Sequence, residues 1–343
     1  MNIIEEVPMS ARSTISMRIR NTVCASLTAA QVLAVATAFA QAATYPNKPI
    51  QLIAQQPPGS QSEAISRIWA ECVAKDLGQP VVVINKPGAN GVIATSYLKG
   101  QPADGYNVMT VGMSQMTITP YVYKNLPYNP YTDFDGVAVL SVSPLILVAS
   151  TQSGIKKLSD IPAVAKGMPG GVNFGSPGKG SPAHLFSADV TSRLKAESTH
   201  VPFVGEAAGV TSLLGGQIQL MTLTSGTAGP LIKENKVVPL AIFAAERDPA
   251  FSNVPTIVET LGAKDLAKPG WLALVTKAGT SPQILKRLGD ATERCTADAH
   301  YRTRLEGVNV AAIKSTPADV KAWTDSYAAV FKPLIEKLNL VGE

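Results

Sequence analysis

Short apolar runs alternate with helical patterns along the chain from about residue 50 onward. The runs at 50–54 and 81–84 are typical of strands, and residues 62–77 between them place apolar side chains on one helical face. Further strand-like runs follow at 108–111, 145–149, 172–174, 220–223, 240–244 and 271–275. Continuous apolar strands separated by helices predict an α/β fold with a parallel sheet covered on both faces.

One of these strands leads into a glycine-rich loop at 175–181. Ser181 is the expected N-cap of the next helix, and Pro182 suits its first turn. Glycines allow close backbone approach to a ligand, and a helix start presents N–H groups that attract anions. A second turn of this kind lies at 55–63. The pair predicts two anion sites that face one cleft.

The first 42 residues have the features of a secretory signal. Arg12, Arg18 and Arg20 precede an alanine-rich apolar run at 23–40, which ends in a small-residue cleavage pattern at Ala42. Polar residues within the run weigh against a retained membrane helix. We therefore expect export, with cleavage near Ala42.

Charge and composition exclude several classes of partner. The formal net charge is +5, but the basic residues are dispersed, which does not favour nucleic-acid binding. The histidines at 184, 200 and 300 have no metal-ligand spacing, so neither a metal nor a cofactor is expected. No heptad or large apolar stripe predicts a partner copy, and we expect a monomer. Cys72 and Cys295 are consistent with two buried thiols or with a disulfide.

The sequence lacks the motifs of common enzyme classes. The 175–181 loop superficially resembles a phosphate loop, but Lys179 is followed by Gly180 instead of Ser or Thr. A Gly-x-Ser-x-Gly nucleophile motif does not occur. We therefore expect a binding protein and not an enzyme.

A set of short motifs extends over essentially the whole chain after the signal. Besides the loop at 173–185, they are YPNKPI at 45–50, LGQPVVV at 77–83, NKPGANG at 85–91, PADGY at 102–106, HVPF at 200–203, LLGGQ at 213–217 and NVPT at 253–256. In order and spacing they resemble the Bug-type periplasmic solute receptors of tripartite tricarboxylate transporters.

This resemblance implies a two-lobe type II periplasmic-binding-protein fold with two crossover strands, near 145–149 and 271–275. The first lobe would combine 45–145 with 266–343, and the second would be 146–265. In this family each lobe binds one carboxylate of a small organic acid at its Gly-rich turn.

The chain departs from the family pattern where the ligand would bind. The family's first turn commonly reads Pro-Phe-Pro-x-Gly-Gly, with Asp a few residues later. Here Gln56 replaces Phe, Ser60 replaces the second Gly and Glu63 replaces Asp. Gln219 replaces a family acidic residue in the second lobe. These changes concern the identity of the ligand more than the fold.

The candidate ligand-binding residues lie on the two turns and on facing segments. They are Gln56, Pro58, Gly59, Ser60, Gln61, Ser62, Glu63, Ser114, Gly175, Ser176, Gly178, Lys179, Gly180, Ser181, His184, Phe203, Thr224 and Ser225. Three roles stay open. Glu63 either complements its helix dipole or meets a donor on the ligand. Lys179 is either solvated or paired with a carboxylate. His184 is either structural or in contact with the ligand.

The expected function is capture of a small aliphatic or aromatic carboxylate for delivery to the membrane subunits of a transporter. The alternative is a periplasmic input protein that presents the bound solute to a membrane signalling system. Both would use the same pocket and would differ in a docking surface that the sequence does not mark.

Overall fold

The computed structural model describes residues 45–341, and the predicted signal at 1–42 lies outside the described residues. Within that range the chain forms eleven strands: β1 (Ile50–Ala54), β2 (Val81–Asn85), β3 (Asn107–Gly112), β4 (Phe134–Ser143), β5 (Leu145–Ser150), β6 (Val172–Ser176), β7 (Ser198–Pro202), β8 (Leu220–Thr224), β9 (Val237–Ile242), β10 (Gly270–Lys277) and β11 (Ala311–Ala312).

The helices alternate with these strands. They are α1 (Gln61–Leu77), α2 (Val92–Lys99), α3 (Thr119–Val122), α4 (Ile161–Lys166), α5 (Pro182–Arg193), α6 (Glu206–Leu214), α7 (Ser225–Lys233), α8 (Ile257–Leu261), α9 (Pro282–Ala297), α10 (Ala299–Glu306) and α11 (Pro317–Lys337). A π-helical turn, Ser114–Ile118, and short 3₁₀ turns such as Ala89–Gly91 complete the connections.

The strands form two sheets, and each sheet is the centre of one lobe. The first lobe has the strand order β11-β4-β10-β3-β1-β2, and the second has β7-β6-β8-β5-β9. Helices α1 and α2 pack on the first sheet, while α5, α6 and α7 pack on the second. The predicted α/β class is therefore confirmed, with two sheets where the apolar pattern alone predicts one.

The prediction of parallel strands is wrong for β5, β10 and β11. β5 runs antiparallel to β8 and β9, β10 runs antiparallel to β3 and β4, and the two-residue β11 also runs antiparallel to β4. For β5 and β10 the physical reason is connectivity, because each of these two strands begins where the chain passes from one sheet to the other. A strand that follows such a passage is not constrained by the βαβ crossover that makes neighbouring strands parallel.

The two passages lie side by side. Pro144 separates β4 of the first sheet from β5 of the second, and the chain returns between β9 and β10. Gly270, the first residue of β10, pairs with Ser143. Leu145, the first residue of β5, pairs with Thr224 of β8. The two connections therefore form a narrow bridge between the lobes.

Helix α11 contacts residues of both lobes. The Trp271 indole on β10 packs edge-on against Trp323 and Tyr327 of this helix. One turn later, the Phe331 ring packs edge-on against Phe186 of α5, with centroids 5.6 Å apart. The C-terminal helix therefore packs across the junction of the two lobes.

A disulfide joins α1 to α9. Cys72 and Cys295 are bonded, with their Cα atoms 6.0 Å apart, which resolves the two alternatives that the sequence left open. Asp76, one turn further along α1, accepts hydrogen bonds from the guanidinium groups of Arg287 and Arg294. The hydrogen bonds from Arg294 and then Arg287 lower the pKa of Asp76 from 3.8 to about 2.

We expect Asp76→Asn to destabilise the protein at neutral pH and much less near pH 2. The folded-state pKa of Asp76 is below its unfolded value, so its contribution is complete above about pH 4 and disappears as the pH falls through about 2. Discounted for solvent screening, the contribution is about 1 kcal/mol. Urea denaturation at both pH values measures it. Asp325→Asn, at an exposed pair with Lys321, is the control. An equal loss at both pH values would contradict the assignment.

Candidate functional site

A cavity of about 150 Å³ lies between the two lobes. Seven of the predicted site residues line it: Gln56, Ser60, Gln61, Ser62, Ser114, Ser181 and Thr224. The others do not: Pro58, Gly59, Glu63, Gly175, Ser176, Gly178, Lys179, Gly180, His184, Phe203 and Ser225. Just over half of the lining residues carry hydroxyl or amide side chains, but most of the surface that faces the cavity is apolar, and Glu206 is the one ionisable side chain among the described lining residues.

The first wall is built on the start of α1. Ser60 is the N-cap, and its Oγ accepts a hydrogen bond from the Glu63 backbone N–H at 3.3 Å. The N–H groups of Gln61 and Ser62 have no acceptor within residues 45–341. Because the N-terminus of a helix carries partial positive charge, these two donors form an anion-binding position at the cavity.

Glu63 belongs to the helix start and not to the cavity lining. Its carboxylate accepts a hydrogen bond from the Gly59 N–H at 3.3 Å and forms an ion pair with Arg67 one turn later. The side chain is buried. Of the two roles left open by the sequence, this geometry favours the one that stabilises the α1 N-terminus.

The second lobe forms the second wall of the cavity. The hydrogen bonds of its glycine-rich loop at 175–181 differ from those of the predicted backbone anion site. Gly178 N–H donates to Ser176 Oγ at 3.2 Å, and Gly180 N–H donates to His184 Nδ1 at 3.3 Å. Ser181 N–H donates to the Gly178 carbonyl, and Pro177 and Pro182 have no N–H. These glycine N–H groups therefore stabilise the loop itself. The Ala183 N–H, one residue into α5 and in the cavity lining, has no acceptor within residues 45–341 and is the donor that this helix start offers to the cavity.

An aromatic stack lies behind this loop. The rings of His184 and His200 are 3.8 Å apart and nearly parallel, and Phe174 stacks on both. Ser176 Oγ lies 2.7 Å from His200 Nε2. Burial, the adjacent His184 and Lys179 lower the pKa of His200 to about 3. His184 and Ser176 thus bond to the loop from the side away from the main cavity. Of the two roles left open for His184, this geometry favours the structural one.

Glu206 is a cavity residue that the sequence did not indicate. It is the first residue of α6, and its carboxylate accepts hydrogen bonds from Thr224 and Thr227. Burial raises the pKa of the Glu206 carboxyl above its ordinary value, and these hydrogen bonds offset only part of that rise. The sequence offers one hint of its position, since Glu206 follows Gly205 and lies three residues after Phe203, which was among the predicted site residues. Asn90, Gln115 and Thr222 are further lining residues that were missed.

The two walls contact each other around the cavity. Asn90 Nδ2 donates to Ser114 Oγ at 2.5 Å, and Ser114 Oγ donates to the Gly180 carbonyl of the second lobe at 2.9 Å. The Tyr123 hydroxyl donates to the Lys179 carbonyl at 3.4 Å. The structure therefore represents a closed cleft.

A second cavity adjoins the first and accounts for three more predicted residues. Gly178, Lys179 and Phe203 line it, and it shares Gln56 and other residues with the main cavity. Because the two cavities share residues of both walls, they are neighbouring parts of the same cleft.

Two further observations concern metal binding and membrane insertion. Among residues 45–341, no cluster of three or more His, Cys, Asp or Glu side chains is arranged to bind a metal ion. In the same part of the chain, none of the helices combines the length and apolar character needed to span a membrane.

Comparison with known proteins supplies the family. Residues 65–340 match the family described as the tripartite tricarboxylate transporter family receptor. The chain belongs to this receptor family. Protein BugT of Bordetella pertussis is 32% identical over 243 residues, which cover 71% of this chain and 74% of BugT.

Two solved structures show the same fold. MatC from Rhodopseudomonas palustris, solved with bound malate, is 25% identical with a TM-score of 0.80, and the match covers 85% of this chain and 100% of MatC. R. palustris Rpa4515, solved with adipate, is 24% identical with a TM-score of 0.82 over 87% of this chain and 100% of that protein. The predicted two-lobe solute-receptor fold is thereby confirmed.

Proposed function

We propose that this receptor captures a small organic carboxylate in the cavity between its lobes and delivers it to the membrane subunits of a tripartite tricarboxylate transporter. The observation that carries the proposal is the pair of acceptor-free N–H groups, Gln61 and Ser62, at the start of α1. They offer a carboxylate two backbone hydrogen bonds and the positive end of a helix dipole.

The ligands of related proteins support this assignment. MatC was solved with malate and Rpa4515 with adipate, and both are small organic acids. The cavity volume of about 150 Å³ also suits a small molecule. The hydroxyl and amide side chains around it, Ser62 and Gln115 among them, supply neutral donors and acceptors for the rest of the ligand.

We further propose that the protein works in the periplasm as a monomer without catalytic activity or nucleic-acid binding. The basic, apolar leader at 1–42 supports export, and a related structure is that of the periplasmic binding protein BugD. The family is one of receptors. A sensory role would use the same cavity, and transport is favoured because the matched family is defined by its transporter.

The lobes would close on the ligand as two bodies. In this proposal 45–145 with 266–343 moves against 146–265 about the bridge at Pro144 and Gly270. The side-by-side strand pairings at the bridge support it, since two adjacent connections allow rotation with few contacts to break. Contacts of α11 with both lobes would limit the range of that motion.

A thermal-shift screen of the signal-free protein tests the assignment. The panel contains aliphatic and aromatic mono- and dicarboxylates, among them acids that carry an amino or amide group, with matched neutral amides as controls. A specific ligand raises the melting temperature as its concentration exceeds the dissociation constant. We expect at least one carboxylate, and not its neutral amide, to give such a rise. A panel without any carboxylate-dependent rise would overturn the proposal.

Ser114→Ala should weaken binding of an identified ligand about fivefold. The change removes the hydrogen bond from Ser114 Oγ to the Gly180 carbonyl, which forms only where the walls are in contact. It also removes an acceptor of the Asn90 amide, which lies within the first lobe and is present whether or not the walls are in contact. A lost hydrogen bond of this kind is worth about 1 kcal/mol. Titration calorimetry measures the effect. Ser96→Ala, whose Oγ bonds the Val92 carbonyl of its own helix, is the control. Equal affinity of the two variants would contradict the closing contact.

A further inference from the structure

Glu206 stands out among the residues that line the main cavity. The other lining residues within 45–341 are uncharged, so no basic side chain of the lining balances this carboxylate. Gly205, directly before it, lies against the first wall, since a Cβ built there would be 3.3 Å from Pro57 Cγ and 3.9 Å from Gln56 Oε1. Glu206 therefore lies where the second wall approaches the first turn.

The hydrogen bonds of Glu206 show that its carboxylate acts as a hydrogen-bond acceptor. Thr224 N–H donates to Oε1 at 2.6 Å, and a backbone N–H can only donate. The hydroxyls of Thr224 and Thr227 donate to Oε2 at 2.9 Å and 2.6 Å. A carboxylate has about four acceptor positions, and these three bonds leave room for one more donor on Oε1.

The two walls therefore differ in polarity. The first wall presents the N–H groups of Gln61 and Ser62, two donors without an acceptor within residues 45–341. In the second wall the glycine N–H groups of the loop are engaged, and a single N–H of this kind, that of Ala183 at the start of α5, accompanies the carboxylate of Glu206. A diacid that spanned the cavity would bring its second carboxylate towards a like charge, and unpaired charges in a closed cavity are unfavourable.

We propose that Glu206 selects small acids that carry a nitrogen-bearing hydrogen-bond donor, an ammonium or an amide, at the end opposite their carboxylate. The inference rests on the proposed function and names its substrate class. The ligand's carboxylate binds at the start of α1, and its donor group meets Oε1 of Glu206. A purely structural Glu206, which only joins α6 to the start of α7 through Thr224 and Thr227, would stabilise the fold without discriminating between ligands.

Titration calorimetry with ligands of matched length separates these roles. Succinate, 4-aminobutanoate and succinamate form one set, and adipate, 6-aminohexanoate and adipamate form the other. For the length that fits, we expect a donor-bearing acid to bind the signal-free protein at least about tenfold more tightly than the diacid. Glu206→Gln should reduce this ratio to about one or below. Glu197→Gln removes an exposed charge of the same lobe and should leave the ratio unchanged.

Two results would overturn the inference. One is a wild-type protein that binds the diacid as tightly as the donor-bearing acids, or more tightly. The other is a donor preference that persists in Glu206→Gln. If Glu206→Gln fails to fold, the wild-type ratio still decides the first question, and Glu206→Asp, with a shortened carboxylate, decides the second by a reduced ratio. Binding of other carboxylates in the thermal screen, with none from the donor-bearing sets, would remove this inference and leave the proposed function standing.

Discussion

Gly178→Val should weaken ligand binding about thirtyfold, whereas Lys179→Ala should change it less than about fivefold. Gly178 has φ of +131°, a conformation that valine adopts only with strain. Its carbonyl accepts from Ser176 Oγ and from the N–H of Ser181, the residue that caps α5 and lines the cavity. A Cβ at 178 would lie 3.7 Å from Asn90 Cβ of the first wall, so the valine methyl groups would press on that wall when the cleft is closed.

Calorimetry with one identified ligand measures both variants. Lys179 is exposed, and an attraction across solvent is worth less than about 1 kcal/mol. Gly154→Val is the matched control, because Gly154 also has positive φ and belongs to the second lobe, but a Cβ added there would meet no atom within 4 Å and the residue lies outside the cavity lining. It should lose stability and keep its affinity. Loss of binding in Lys179→Ala with normal binding in Gly178→Val would contradict the expected order.

Most of the strands that the apolar pattern found are largely buried, as β1, β6 and β8 are, so apolar side chains dominate their sequences even though Gln51, Asn173 and Thr222 interrupt them. β2 was found as well, although it is a half-buried edge strand, because residues 81–84 are all β-branched. β7 was missed because this edge strand is polar and half-exposed, with the sequence STHVP. β4 was missed because Asp135 and Gly136 interrupt its apolar pattern. β7 lacks an apolar run altogether, and in β4 the polar start obscures the apolar residues that follow.

The candidate site could be predicted only where local sequence determines geometry. The start of α1 was located to within one residue because the turn at 55–63 resembles the second-lobe loop and occupies the place of a family motif, whereas the N-cap role of Ser60 was not predicted. The second loop was located correctly, but its hydrogen bonds were not predicted, since the acceptors for its N–H groups are the side chains of Ser176 and His184. Glu206 was missed because its contact with Thr224 joins elements 18 residues apart, and no local pattern encodes that pairing.

Replacing both Cys72 and Cys295 by serine should lower the free energy of unfolding by about 3–5 kcal/mol. The bond joins residues 223 positions apart, so it restricts a large part of the unfolded chain, and in the folded protein it joins α1 to α9. Urea denaturation of the oxidised wild type and the double variant measures the loss.

The single variant Cys72→Ser is the control for the disulfide and should lose nearly as much stability, since either change removes the bond. Reducing agent should lower the stability of the wild type and leave the double variant unaffected. Ligand affinity of the folded double variant should stay near wild type, because Cys72 lies three turns along α1 from the N–H groups of Gln61 and Ser62 at the cavity. Unchanged unfolding in the double variant, or two titratable thiols in the untreated wild type, would contradict a stabilising disulfide. A fall in affinity without a fall in stability would instead mean that the bond positions the start of α1 for the ligand.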